Sequence, residues 1–217
     1  MKLISRQSIL GVLAAASLCS SLTACAPLLM GGAMVGGTMM AIDRRTSGAQ
    51  VEDEGIELRG TIRLREALAE RGHVNLTSYN RQVLLTGEVP TDNDRQLAEQ
   101  VIGKVENVRG IVNELAVSGN SSLTQRSSDA IITGRVKAAF IDAKDLSANN
   151  FKVVTERGTL FLMGRVTQAE ATRATEIARS TSGVQKVVRI FEYLSDEELR
   201  NLLVQPTTAP TPAPKAP

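Results

Sequence analysis

Two stretches of the chain carry the same order of apolar and polar positions. In the first, Ile56, Gly60, Leu64, Ala67 and Leu68 recur at three- and four-residue intervals and stop near Gly72, which predicts an amphipathic helix. In the second, Ile132, Val136, Ala139 and Phe140 repeat that spacing. Two strand-like runs follow each helix, at residues 74–79 and 83–89 in the first stretch and 151–155 and 159–166 in the second. The breaks between them, Asn80-Arg81-Gln82 and Glu156-Arg157-Gly158, are short enough to be hairpin turns.

The parallel continues. Gly87 and Gly164 each stand two residues before the last valine of a strand, a place where glycine marks a bulge or a close backbone approach. Thr91 with Asp94, and Thr167 with Glu170, set a cap residue three positions before an acid; the capping box is complete in the second stretch and approximate in the first. The helices that follow are expected to bury Leu97, Ala98, Val101 and Val105, and in the second stretch Ala171, Ala174, Ile177 and Ala178. A strand closes each unit, at residues 108–117 and 184–193. The order αββαβ, twice over, predicts an α+β fold of two small domains, each a three-stranded mixed sheet with two helices on one face.

The amino terminus changes the picture from a soluble protein to an exported one. Lys2 and Arg6 precede an apolar run from residue 9 to 18, and Leu22-Thr23-Ala24-Cys25 ends in a small-residue cleavage site. That run is shorter than the roughly 20 residues a membrane-spanning helix needs. The string LTAC resembles the bacterial lipobox, in which the cysteine after the cut is acylated, so Cys25 is the expected lipidation site. Cys19 follows the bulky Leu18 and does not fit. Two or three acyl chains hold a protein on a membrane, since each buried methylene contributes about 0.8 kcal/mol. Ala26 stands where an Asp commonly signals inner-membrane retention, which favours the outer membrane, with the folded part facing the periplasm.

The expected division is a signal peptide at 1–24, the lipidated Cys25 with a flexible Gly/Met-rich linker to residue 53, domains at 54–120 and 121–194, and a short helix with a disordered Pro/Thr/Ala tail at 195–217. The string GGAMVG in the linker lacks the preceding strand and following Lys of a phosphate-binding loop. Once the signal is removed, Cys25 is the remaining cysteine and no internal disulfide can form. Removal also takes away Lys2 and Arg6 and no acid, leaving 23 basic and 23 acidic residues, a balance that gives no reason to expect nucleic-acid binding.

The repeat, with Val74-Asn75-Leu76-Thr77, Val153-Val154-Thr155-Glu156 and Phe161-Leu162-Met163-Gly164, resembles the BON domain in both copies. With the lipobox, the glycine-rich spacer and the segment from Asp43 to Asp53, it is similar to the tandem-BON outer-membrane lipoproteins. The resemblance runs from residue 1 to 194, and the tail does not match.

No constellation for catalysis is visible, and neither cofactor nor metal is expected. His73 is the single histidine, read as a solvated residue past a helix end, without a counterpart in the second repeat. Asp92 with Asp94, and Glu52, Asp53 and Glu54, are read as acids at helix starts. Charge distinguishes the domains: residues 52–120 hold 8 basic and 12 acidic side chains, residues 121–194 hold 11 and 7. Clustered cations attract an anionic lipid surface by about 1 kcal/mol each. With Ile132, Val136 and Phe140 inward, Ile131, Arg135 and Ala138 lie outward on the first helix of the second domain, flanked by Lys137.

The tandem-BON resemblance implies that this helix binds anionic phospholipid, with Ile131, Ile132, Arg135, Val136 and Lys137 at the matching positions, and implies a role in outer-membrane integrity. Ile131 is aliphatic where an aromatic side chain would anchor best. The alternative for the positive charge is pairing with the negative first domain. Other readings of the whole are an adaptor for outer-membrane assembly or cell-wall proteins, and a periplasmic stress or chaperone-like protein.

Overall fold

The computed structural model describes residues 43–69 and 71–204. The expected signal peptide, Cys25, the Gly/Met-rich segment and the tail from residue 205 lie outside the described residues.

The first domain runs α1 (Ser47–Leu68), β1 (His73–Tyr79), β2 (Gln82–Val89), α2 (Asp92–Ile102), β3 (Gly110–Asn113) and β4 (Ala116–Val117). The second runs α3 (Leu123–Asp142), a 3-10 turn (Ala148–Asn150), β5 (Phe151–Glu156), β6 (Thr159–Val166), α4 (Gln168–Ser180) and β7 (Lys186–Tyr193), and α5 (Asp196–Val204) follows. In each, the first two strands pair antiparallel and the closing strand adds parallel to the second, so the long strand is central. The closing strand is continuous in the second domain; in the first it is broken into β3 and β4, both on β2.

Local chemistry explains the element ends. Thr46 caps α1 by accepting from the Ala49 amide, and Ala69 ends it in a left-handed conformation, donating to the Arg65 carbonyl. The linker assigned to 25–53 is therefore too long: residues 47–53 are helical, because Thr46 supplies the cap and Arg45 holds both Asp43 and Asp53. Thr167 and Glu170 form the full capping box of α4, whereas at α2 Thr91 takes the Asp94 amide and bonds the Asp94 carboxylate. Val105 is buried as expected, but in the turns after α2 rather than within it. A side chain at Gly87 or Gly164 would strike the carbonyl of His73 or Asn150, so these glycines let the paired strands close.

Both hairpins are two-residue turns, Asn80-Arg81 and Arg157-Gly158, with positive φ at all four residues. An aspartate buried in each first helix holds them. Asp53 accepts from the amides of Asn80 and Arg81 at 2.7 Å each, and Asp129 from those of Arg157 and Gly158 at 2.8 and 2.9 Å. Asp53 is thus a buried turn clamp and not an acid at a helix start; α1 begins six residues earlier, at Ser47.

Alternation along the central strands builds three cores. Val83, Leu85 and Val89 of β2 meet Ile56, Leu64 and Ile102 under the helices of the first domain. Leu160, Leu162 and Val166 of β6 meet Val136, Phe140 and Ala174 in the second, where Phe140 and Phe151 lie 5.2 Å apart. The residues between them, Leu84 on one side and Phe161 and Met163 on the other, join Tyr79 and Ile190 in a third cluster. The two sheets therefore pack face to face, and the helices form the two outer layers.

Candidate lipid-facing helix and interdomain cluster

Helix α3 divides as its spacing dictates. Ile132 and Val136 are 6% and 0% exposed, so as sites of direct lipid contact these two positions are corrected: both side chains are buried, Val136 in the core with Leu160 and Leu162 and Ile132 against Gly183. Ile131 is 56% exposed and Arg135, Lys137 and Ala138 are exposed, on the side away from that core. Arg135 reaches the Ser182 carbonyl at 3.4 Å. Leu123 and Ile141 extend the exposed apolar surface along the helix. No helix among the described residues is long and apolar enough to cross a membrane. Helix α1 also exposes a stripe, Val51, Leu58 and Ile62, which the sequence analysis did not single out although its spacing of seven and four residues is visible there.

Part of the second domain's positive charge turns inward. Lys152 pairs with Glu57 at 2.8 Å, and Arg157 approaches Glu88 to 3.6 Å and donates to the Ser118 hydroxyl. Arg44, just before α1, reaches across to Glu170 in a two-pronged pair at 2.7 Å and to the Arg165 carbonyl. Arg45 lies 4.4 Å over the Tyr79 ring, whose hydroxyl sits between the Asn150 carbonyl and the Arg165 amide. Interdomain ion pairs and an outward basic helix thus use different residues.

At the edge of the joined sheets, His73, Glu88 and Glu156 come together, with ligand atoms all within 4.8 Å of one another. His73 is the first residue of β1 and not a solvated loop residue: its side chain is 25% exposed, and its Nδ1 stands 3.7 Å from Glu88. The antiparallel register sets His73 directly opposite Glu88. Glu88 is fully buried; one oxygen accepts from the amide and hydroxyl of Ser121, and the other has no hydrogen bond. Glu156, at the end of β5, takes a 3.0 Å bond from Asn75.

Burial, with Glu88 and Asp129 nearby, raises the Glu156 carboxyl above its ordinary value. Burial and the charge of Arg126 lower His73 from its ordinary value, against the opposing pull of Glu88, and so favour the neutral imidazole. A cleft of about 430 Å³, lined by His73, Asn75, Arg126, Asp129 and Glu156 among others, opens onto this cluster. The three residues of the cluster are 15 to 83 positions apart in the chain, so no sequence motif joins them; the one local sign is an acid, Glu88, beside Val89 at the end of a buried strand.

Comparisons with known proteins agree with this architecture. The BON domain family model matches residues 61–119 and 128–194. The outer membrane lipoprotein DolP of Haemophilus influenzae is 38% identical over 176 residues, 80% of this chain and 90% of its own. The 21 kDa hemolysin of Actinobacillus pleuropneumoniae is 34% identical over 70% of this chain and 80% of its own. Among solved structures, CdsD of the Chlamydia trachomatis type III secretion system aligns over 67% of this chain and 97% of its own at 10% identity and a TM-score of 0.29, too low to carry an argument. Matched in both repeats by the family model, and over most of its length by DolP, the chain belongs to the BON-domain family as a DolP-like tandem-BON protein.

Proposed function

We propose that this chain is a non-enzymatic outer-membrane lipoprotein, anchored through Cys25 and facing the periplasm, that binds anionic phospholipid through the outer face of α3 and supports outer-membrane integrity. The name of its Haemophilus relative supports the location. The observation that carries the lipid reading is Ile131, 56% exposed on the side of α3 turned away from both sheets, with Arg135 and Lys137 beside it. A shallow apolar insertion flanked by cations suits a negatively charged surface. Seventeen residues lie between Cys25 and Asp43, a contour of at most about 65 Å over eighteen residue steps, which gives an anchored domain room to turn α3 onto its own bilayer.

The stripe on α1 favours a second role. It belongs to the acidic domain and to the opposite outer layer, so a bilayer meeting α3 leaves Val51, Leu58 and Ile62 facing the periplasm. That surface suits a protein partner, as an assembly adaptor would need.

Binding of residues 26–217, which lack the acyl anchor, to phosphatidylglycerol-containing vesicles tests the lipid reading. Ile131→Glu should reduce binding strongly with the circular dichroism spectrum unchanged. Arg135→Glu should reduce it in a salt-dependent manner, because its effect is screened within about 8 to 10 Å. Wild-type binding by both folded variants would move the function to the protein-adaptor reading.

A further inference from the structure

We propose that His73, Glu88 and Glu156 form a binding site for a divalent transition-metal ion of the zinc class, which clamps the two domains together. The site has ligands from both sides of the interface: His73 and Glu88 from β1 and β2, and Glu156 from β5.

The donor set selects the metal. One imidazole nitrogen and two carboxylates, with a position left for water, is a set that zinc accepts, whereas calcium and magnesium take oxygen ligands. Zinc bonds of 2.0–2.2 Å place neighbouring ligand atoms roughly 3.3 Å apart in a tetrahedron. His73 Nδ1 stands 3.7 Å from Oε2 of Glu88, the oxygen that also accepts from Ser121, and the three ligand atoms all lie within 4.8 Å of one another. The cleft beside the cluster provides entry.

Two unpartnered atoms point to an absent ligand. Glu88 is 0% exposed, yet one of its carboxylate oxygens has no hydrogen bond, and the buried Nδ1 of His73 has none either. An unsatisfied buried acceptor costs about 1–3 kcal/mol, more when charged. Neighbouring cations offset part of that cost but supply no hydrogen bond to either atom. Arg157 stands 3.6 Å from the free oxygen without hydrogen-bond geometry, and Arg126 directs its Nε to the Ser121 hydroxyl. A bound cation satisfies both atoms and offsets two carboxylates held close together.

The test uses the purified acylated protein in detergent, without a histidine tag, stripped with chelator and titrated with Zn²⁺ by calorimetry and with Co²⁺ by visible absorption. Expected are one ion per chain, a ligand-field band from Co²⁺, a rise in melting temperature that chelator reverses, and no comparable response to Ca²⁺ or Mg²⁺. His73→Ala removes the only histidine of the chain and should weaken zinc binding at least about tenfold. Glu156→Gln should do the same. His73 is 25% and Glu156 8% exposed against 0% for Glu88, so these two substitutions spare the most buried member of the cluster, and circular dichroism verifies that each variant is folded. Absence of saturable one-to-one binding, wild-type affinity in folded His73→Ala, or an equal response to Ca²⁺ would each overturn the site.

Discussion

Asp53 and Asp129 occupy the same place in the two repeats: each is buried in a first helix, and each accepts the two backbone amides of a hairpin turn whose residues have positive φ. Hydrogen bonds to a charged group contribute about 1.5–3 kcal/mol, and the amides left behind would be partly buried. Asp129→Ala should therefore lower unfolding free energy by about 2–4 kcal/mol in urea titration. Asp53→Ala should cost at least as much, since Asp53 also takes the Ser78 hydroxyl and Arg45. A loss below about 0.5 kcal/mol for either, the scale of an ordinary surface substitution, would contradict the clamp.

Ile131 and Ile132 are adjacent but face opposite ways, so substituting them should separate binding from stability. Ile132→Ala opens a cavity under α3 and should cost about 2–5 kcal/mol. Ile131→Ala should leave the urea midpoint within error and act on vesicle binding alone. Equal destabilisation by the two would mean that the helix is rotated from the position described.

The Arg44–Glu170 pair ties the segment before α1 to the capping box of α4. Burial raises the Glu170 carboxyl, but the bonds from Arg44 and the Thr167 amide outweigh it and hold the group below its ordinary 4.5. A carboxylate lowered in the folded state stabilises above the unfolded value and loses that contribution as pH falls through the folded one. Arg44→Ala should thus lower the melting temperature at pH 7, and the difference from wild type should shrink below pH 4.5. A difference independent of pH would show that Arg44 acts through packing.

The third apolar cluster predicts how the domains come apart. Leu84 is fully buried between the sheets, on the face of β2 opposite its own helices. Leu84→Asp should uncouple the domains while sparing each helix-covered core. The expected signature is near-native far-ultraviolet dichroism, a larger radius of gyration in X-ray scattering, and two thermal transitions in place of the single one expected of the wild type. A single transition with an unchanged radius would mean that the interface tolerates the charge.

The sequence by itself determined the elements. Helices, hairpins and caps depend on residues within about four positions of one another, and Thr167 with Glu170, the spacing of Ile132, Val136 and Phe140, and the short hairpin breaks are legible without any partner. The repetition of those signals and their BON-like strings also revealed the two domains. Tertiary structure decided what covers the second face of each sheet. Consecutive apolar residues in β2 and β6, Val83-Leu84-Leu85 and Leu160-Phe161-Leu162-Met163, signal strands buried on both faces, but such a run does not say what covers it. Only packing chose the other repeat. It turned Lys152 and Arg157 inward while leaving Arg135 and Lys137 outside, and it carried Glu156 to His73 and Glu88 across the interface. Contacts between residues so far apart in the chain follow from the docking of two preformed sheets, which local periodicity does not encode.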